Sequence, residues 1–444
     1  MKKMITRRGF VIPKEEHKNE LARIRKDLKV QPYKSQRFIM QNYGGLPEPF
    51  NIYMESESKI YMPRYYGISK FGNVHMNISD GNDIKLEFEG ELRENQEKLM
   101  ADFLPKFYTN FGGILNLKTG GGKTALALYI ISVLKKKALI IVHKQFLADQ
   151  WIDRINQFLP KAKAGTIQGK KFDIEDCDIV IGMLQSISMK DFEKSAFDSF
   201  GVTVFDETHH LSANVFSRAF LKCSSKFNLG LSATLERKDE TEFVLNYYLG
   251  PTFSPTVLEN FGEVKVKKIK FIDEIYQKEI TNFKGNINSA AMISKLVTSR
   301  KRTQLICAYI EKYVKHNRHI LILSERLSQL KDIEQKLNEM EIESGMAIGG
   351  TKHEKLTENC KKPVILATYS YVSEGFDVET LNTLIFASPK SDVIQSAGRI
   401  LRQTPEEREK IPYILDIVDD TKIYESKFKK RLKYYKKSKF TVFQ

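Results

Sequence analysis

The segment Lys118-Thr119-Gly120-Gly121-Gly122-Lys123-Thr124 lies between an apolar run, Gly113-Ile114-Leu115, and a helix-forming run, Ala125–Ile131. Strand, glycine loop and helix in that order commit this part of the chain to an α/β layout. Three successive glycines let neighbouring backbone N–H groups turn toward one point, where an anion can accept them. The helix that follows adds the positive end of its dipole. Lys123 is then placed to reach the β- and γ-phosphates of a nucleoside triphosphate, and the Thr124 hydroxyl to bind Mg²⁺. Position 117, where the phosphate-loop pattern G-x-x-x-x-G-K-[ST] has its first glycine, is Leu.

Further apolar runs follow at Leu139–Lys144, Asp178–Met183, Val202–Glu207 and Phe227–Thr234, with the amphipathic stretch Gln145–Leu159 among them. Apolar strands separated by helices imply a parallel sheet, whose ligand loops lie at the carboxyl ends of its strands. One of these ends reads Val204–His210, VFDETHH. There Asp206 can hold the Mg²⁺ hydration shell, and Glu207 can orient and deprotonate an attacking water. His209 and His210 are candidates to relay nucleotide state; as zinc ligands they lack partners.

At 444 residues the chain is too long for a single core, and about 150 residues per domain predicts roughly three. Residues 1–88 carry Pro47, Pro49, Pro63 and the phrase Ile60–Gly67, IYMPRYYG, and are expected to form a small N-terminal α+β domain. Arg64 within that phrase is either a nucleic-acid contact or part of a packed corner. The first α/β domain is expected over 89–255 and a connector over 256–290. A second α/β unit is expected over 291–444, with a long helix near 294–316. That unit has no second phosphate loop, so it is expected to supply residues to the first unit's nucleotide. In Gln395–Gln403, QSAGRILRQ, Arg399 and Arg402 are three apart and would share a helix face, an arrangement that suits an arginine-finger pair, with Gln395 one turn earlier toward the water.

The net charge of +16 favours a polyanionic partner, nucleic acid above all. Half of that excess lies in the last 24 residues, where nine Lys and Arg face one acid. Tyr424, Phe428, Tyr434 and Tyr435 are interleaved there, for stacking on bases or for burial against the second unit. The four cysteines are scattered, without a C-x-x-C pair, and read as buried free thiols of a reducing, intracellular setting. No apolar run reaches 18 residues and the N-terminus lacks a signal-peptide core, so no membrane partner is expected.

Taken together, the order of motifs resembles the superfamily 2 helicases. The resemblance implies two tandem RecA-like domains with parallel sheets, ATP and Mg²⁺ as cofactors, and a DExH box at Asp206–His209. It aligns Gln96, with Arg93 before it, with the family's adenine-reading glutamine. The phosphate loop then comprises Thr119, Gly120, Gly121, Gly122, Lys123 and Thr124. Ser232-Ala233-Thr234 matches the coupling motif, Glu374–Asp377 the motif whose Gly375 and Asp377 approach the nucleotide, and Gln395–Arg402 the QxxGRxxR motif. Lys144, Gln185, Ser186, Gly349 and Gly350 fall on the family's nucleic-acid track. IYMPRYYG, VHKQFLADQW, IGMLQSIS and KRLKYYKK make the XPB-like branch, and within it the compact helicases of large cytoplasmic DNA viruses, including the poxvirus transcript-release type, the nearest likeness. It departs from that branch at Leu235 and Glu240, where proline and glycine are usual. The implied activity is that of a 3′→5′ DNA helicase or translocase in viral-type transcription termination, replication or recombination, with DNA ahead of RNA as substrate. The implied partners are transcription or replication proteins, the setting a cytoplasmic viral factory or virion, and the oligomeric state a monomer. An RNA helicase, or an ATP-gated subunit that does not unwind, is the alternative.

Overall fold

The computed structural model describes the chain except for residues 1, 33–47, 118–120, 194, 209–212, 234–239, 255–260, 284, 286, 352, 374, 375, 377 and 404. It divides into two compact units, Met1–Thr256 and Val257–Gln444.

The first unit begins with short strands: β1 (Met4–Thr6), β2 (Gly9–Pro13), β3 (Lys29–Val30), β4 (Phe50–Asn51), β5 (Met54–Glu55) and β6 (Lys59–Met62). They form an antiparallel sheet of order β1-β2-β6-β5 and a separate β3-β4 pair, alongside the helices Lys18–Asp27 and Arg64–Phe71. Among the described residues, this N-terminal region shares its core with the α/β part. Phe10, Ile12, Ile24, Met62 and Tyr66 belong to one buried cluster with Ile114, Leu139, Val180 and Tyr248 of the α/β part.

Arg64 decides the meaning of IYMPRYYG. It is 1% exposed, and its guanidinium donates to the carbonyls of Ser225 and Lys226, both at 2.9 Å. Tyr65 Oη donates to Asn110 O at 2.8 Å. The arginine is therefore the packed corner, not a nucleic-acid contact. Hydrogen bonds to a charged donor contribute about 1.5–3 kcal/mol each when the alternative is a buried orphan carbonyl. Arg64→Ala is accordingly expected to lower the stability of the first unit by about 3 kcal/mol or more, read from the midpoint of urea unfolding.

The large sheet of this unit contains β7 (Gly112–Asn116), β8 (Ala138–Val142), β9 (Ala164–Gln168), β10 (Lys171–Asp173), β11 (Ile179–Met183), β12 (Val202–Phe205), β13 (Phe227–Ser232) and β14 (Thr252–Phe253). Its order is β10-β9-β11-β8-β12-β13-β7-β14, parallel throughout except for the edge pair β10–β9. The strands read as unbroken apolar runs because both faces are covered. Leu139 and Ile141 face one buried layer, and Ala138, Ile140 and Val142 face the other.

The second unit holds β15 (Lys265–Phe271), β16 (Ile320–Ser324), β17 (Ser344–Ala347), β18 (Val364–Thr368), β19 (Thr383–Phe386), β20 (Tyr413–Asp419) and β21 (Thr441–Phe443). All its pairs are parallel, in the order β17-β18-β16-β19-β20-β15-β21. Lys265–Phe271, expected within a connector, is thus an interior strand of this sheet. The helix expected near 294–316 is two helices, Ser289–Leu296 and Arg300–Lys315. Ser299 starts the second, its Oγ accepting from Arg302 N at 3.3 Å and donating to Asp273 at 2.9 Å.

The basic C-terminal stretch is the helix Lys422–Lys437 followed by β21. Tyr424, Phe428, Arg431 and Tyr435, spaced four, three and four apart, form its buried face. Arg431 and Tyr435 both bond Asp416, at 2.7–2.8 Å. Three of the four interleaved aromatics are therefore core residues, and Tyr434 packs edge-on to Phe440. Lys429, Lys430, Lys433, Lys436 and Lys437 make the exposed face. Among the described residues, no helix is long and apolar enough to cross a membrane.

Candidate active site

Parallel packing carries β7, β8, β12 and β13 to a common carboxyl edge, and the chemistry-bearing residues of the first unit collect there. Gly122 opens the helix Lys123–Leu134 with φ of +79°. The left-handed backbone there favours glycine, and a Cβ would also push aside the amide end of Gln96. Gln96 has both ends of its amide engaged: Oε1 accepts from Arg93 N at 3.0 Å and Nε2 donates to Gly121 O at 3.2 Å. The glutamine thereby ties the start of the helix Glu94–Asn110 to the glycine loop.

Lys123 Nζ donates to Leu117 O at 3.2 Å and lies 3.6 Å from Glu207 Oε1. Leu117, standing where the pattern has glycine, contributes its side chain to the core and its carbonyl to the lysine. Thr124 follows in the first turn of the helix, half-buried.

Asp206 leaves the end of β12 with its N–H still donating to Ile141 O at 3.0 Å. Its carboxylate is 7% exposed and held at both oxygens: Oδ2 accepts from Trp151 Nε1, and Oδ1 from Glu207 N, each at 2.9 Å. Glu207 has φ of +47°, a left-handed conformation that a side chain adopts at a cost of about 1–3 kcal/mol. The turn it makes brings its carboxylate to Lys123. Burial, and then the charge of Glu207, push the Asp206 carboxyl well above the ordinary carboxylate range, against the opposing pull of Trp151 and Lys123. By linkage, a raised carboxyl stabilises the fold fully only below its unfolded value and loses that contribution as pH rises through the folded one. At neutral pH the buried charge opposes folding. Two adjacent carboxylates beside one lysine make a site short of positive charge, which fits a divalent cation.

Thr119, Gly120, His209, His210, Thr234, Leu235, Gly375 and Asp377 lie outside the described residues. In the second unit, Gln395 is on the helix Ile394–Gly398, which ends before either arginine. Arg399 and Arg402 are therefore not on one face of a continuous helix. They meet in another way: Arg399, 3% exposed, donates to Phe376 O at 2.6 Å, and Arg402 donates to the same oxygen at 3.3 Å. The arginine motif and the Glu374–Asp377 motif thus join at Phe376.

Of the expected nucleic-acid residues, Lys144 is the N-cap of the helix Gln145–Phe158. Gln185 Nε2 donates to His143 O at 3.2 Å, and Ser186 Oγ accepts from Gly169 N at 2.9 Å. The structure brings these three together beside the carboxyl ends of β8 and β11. Gly349 and Gly350 follow β17 in the second unit with open space around them, Gly350 at φ of +87°. Trp151 was not legible as a site residue. Its position on an amphipathic helix reads as core, and its partner Asp206 is 55 residues away.

The family profile described as "Type III restriction enzyme, res subunit" matches residues 89–237. The protein L396 of Acanthamoeba polyphaga mimivirus, proposed by its name to be an ATP-dependent RNA helicase, is 32% identical over 454 residues, covering 100% of this chain and 86% of its own. Protein 161L of Invertebrate iridescent virus 6, proposed by its name to be a helicase, is 27% identical, covering 91% of this chain and 94% of its own. Among solved structures, S. cerevisiae Dbp5 bound to RNA and ADP BeF3 superimposes with a TM-score of 0.54 at 12% identity, covering 79% of this chain and 94% of that one. That likeness supports the fold, two RecA-like domains. With a mimivirus relative of this identity matched over the whole of this chain, the chain belongs to the superfamily 2 helicases, ATP-dependent motors on nucleic acid.

Proposed function

We propose that the protein is a 3′→5′ DNA helicase or translocase of the XPB-like branch, using Mg²⁺-ATP and working in viral-type transcription termination, replication or recombination. The observation that carries the ATPase part is the cluster of Lys123, Asp206 and Glu207 at one sheet edge, with Lys123 and Glu207 3.6 Å apart. Bound Mg²⁺ would neutralise charge on the phosphates. Asp206 and Thr124 would hold that ion, and Lys123 would hold the β- and γ-phosphates together with the loop N–H groups from Thr119 to Gly122. Glu207 orients the attacking water and accepts its proton. By the family resemblance, Arg93 and Gln96 are assigned to the base, and Gly375 and Asp377 to the nucleotide.

By the same resemblance, Arg402 is assigned the arginine-finger role and Gln395 the water-orienting one, and Arg399 holds Phe376 O, to which Arg402 also donates. Losing one charge-assisted hydrogen bond made in the transition state costs about 1.5–3 kcal/mol, or roughly 10- to 100-fold in rate. Arg402→Ala is expected to reduce kcat by about that factor with ATP affinity unchanged. An effect on KM alone places Arg402 away from the chemistry.

Lys144, Gln185, Ser186, Gly349 and Gly350 contact the sugar-phosphate backbone, which by itself does not separate DNA from RNA. A second reading, an RNA helicase, draws on the name of the mimivirus relative. Strand displacement on duplexes with a 3′ or 5′ tail, made of DNA or RNA, tests the proposal. Displacement of 3′-tailed DNA is expected, and activity on RNA duplexes alone would favour the second reading. The exposed lysine face of the C-terminal helix adds backbone contacts. Changing Lys429, Lys430, Lys433, Lys436 and Lys437 together to Gln spares the buried face. It should flatten log affinity against log salt by about 0.9 for each lysine that sits on a phosphate of duplex DNA. An unchanged slope would make this face merely solvated.

A further inference from the structure

Trp151 is the protein's single tryptophan, and it is 2% exposed. A tryptophan buried on the inner face of an amphipathic helix ordinarily serves packing, with its N–H satisfied by whatever acceptor is near. Here the acceptor is a buried carboxylate, Asp206 Oδ2, at 2.9 Å. The other oxygen of that carboxylate takes the N–H of Glu207 at 2.9 Å. One donor comes from the adjacent residue and fixes Oδ1. The other comes from a different element, the helix Gln145–Phe158, and sets how the carboxylate plane is turned about its bond to Cβ. The indole is itself held in the cluster that contains Leu147, Ile155, Ile140 and Val204, so it has little freedom to follow the carboxylate.

We propose that Trp151 is a positioning residue for the metal site: its indole N–H holds the Asp206 carboxylate in the orientation in which it receives Mg²⁺. This rests on the reading of Asp206 as the residue that holds the ion. Groups that hydrogen-bond a ligating side chain typically account for 10- to 100-fold in metal affinity. A packing role has a different signature. Loss of packing lowers stability and perturbs nucleotide binding whether or not metal is present, whereas loss of the N–H acts only where the metal is engaged.

The test compares full-length wild type with Trp151→Phe, which keeps an aromatic ring and removes the donor. Binding of a fluorescent ADP analogue is measured in EDTA and across a Mg²⁺ series. Trp151→Phe is expected to bind the analogue in EDTA as wild type does, and to need about ten-fold more Mg²⁺ for half-saturation. An unchanged Mg²⁺ requirement in the folded variant overturns the proposal and leaves the ATP site standing. If wild type itself shows no Mg²⁺-dependent binding, the reading of Asp206 falls first. Should Trp151→Phe not fold, the wild-type tryptophan emission decides, because no other indole contributes. Mg²⁺ with ADP should shift that emission, and ADP in EDTA should not. The Mg²⁺-dependent shift should vanish in Asp206→Ala. The same emission with and without Mg²⁺ overturns the proposal.

Discussion

Glu207→Gln is expected to cut ATP turnover by about 10²–10⁴, the usual contribution of a positioned proton acceptor, while ATP remains bound. Glutamine keeps the length of the side chain and requires the same left-handed backbone at position 207, where φ is +47°. What it loses is the charge and the capacity to take a proton. The pair with Lys123, at 3.6 Å, is also lost, but the lysine keeps its bond to Leu117 O at 3.2 Å. Burial is the main reason the Asp206 carboxyl is raised and would remain, but removing the adjacent carboxylate relieves the added repulsion, so Asp206 stays ionised to somewhat lower pH. Equilibrium nucleotide binding and single-turnover hydrolysis separate the two effects. A loss of binding as deep as the loss of turnover would contradict the role given to Glu207.

Lys123→Ala is expected to fail at both steps. The ammonium lies 3.6 Å from Glu207 Oε1 and its charge acts on Asp206, and its removal leaves the two carboxylates without that charge. Asp206 is then pushed still further up, and the triphosphate loses its partner at the β/γ position. Removing one preorganised donor from developing charge costs about 10²–10³ in kcat. A weakened nucleotide affinity is expected beside it. The helix should survive, because alanine is the best helix former and position 123 is the first residue of Lys123–Leu134. Circular dichroism establishes the fold and a coupled ATPase assay the loss. A folded Lys123→Ala with near-normal turnover would remove the phosphate-loop assignment.

The parallel sheets were legible because strands covered on both faces have no polar side to interrupt them: Val202–Phe205 is buried at every residue. The glycine loop and the Asp206–Glu207 pair were legible because their chemistry is concentrated in short spans at strand ends. Contacts made across the sequence were not. Arg64 reads equally as a surface cation until the carbonyls of Ser225 and Lys226 are seen to receive it, more than 160 residues later. Trp151 reads as core until its N–H is seen on Asp206. Arg399 and Arg402 are three apart, which predicts one helix face. The helix instead stops at Gly398, and Phe376 O draws both guanidinium groups together. Ser299 broke another expected helix by capping a new one. In the C-terminal stretch the spacing of Tyr424, Phe428 and Tyr435 was compatible with burial or with stacking, and it was the partner on the sheet, Asp416, that identified the buried face.

A motor on nucleic acid hydrolyses ATP in response to its track, and that response is the most direct measure of the account. The initial rate of Mg²⁺-ATP hydrolysis by the full-length protein should rise several-fold with saturating single-stranded DNA, and Glu207→Gln should lower both the basal and the stimulated rates by about 10²–10⁴. A protein that binds DNA and RNA yet hydrolyses ATP at the same rate with and without either would contradict it.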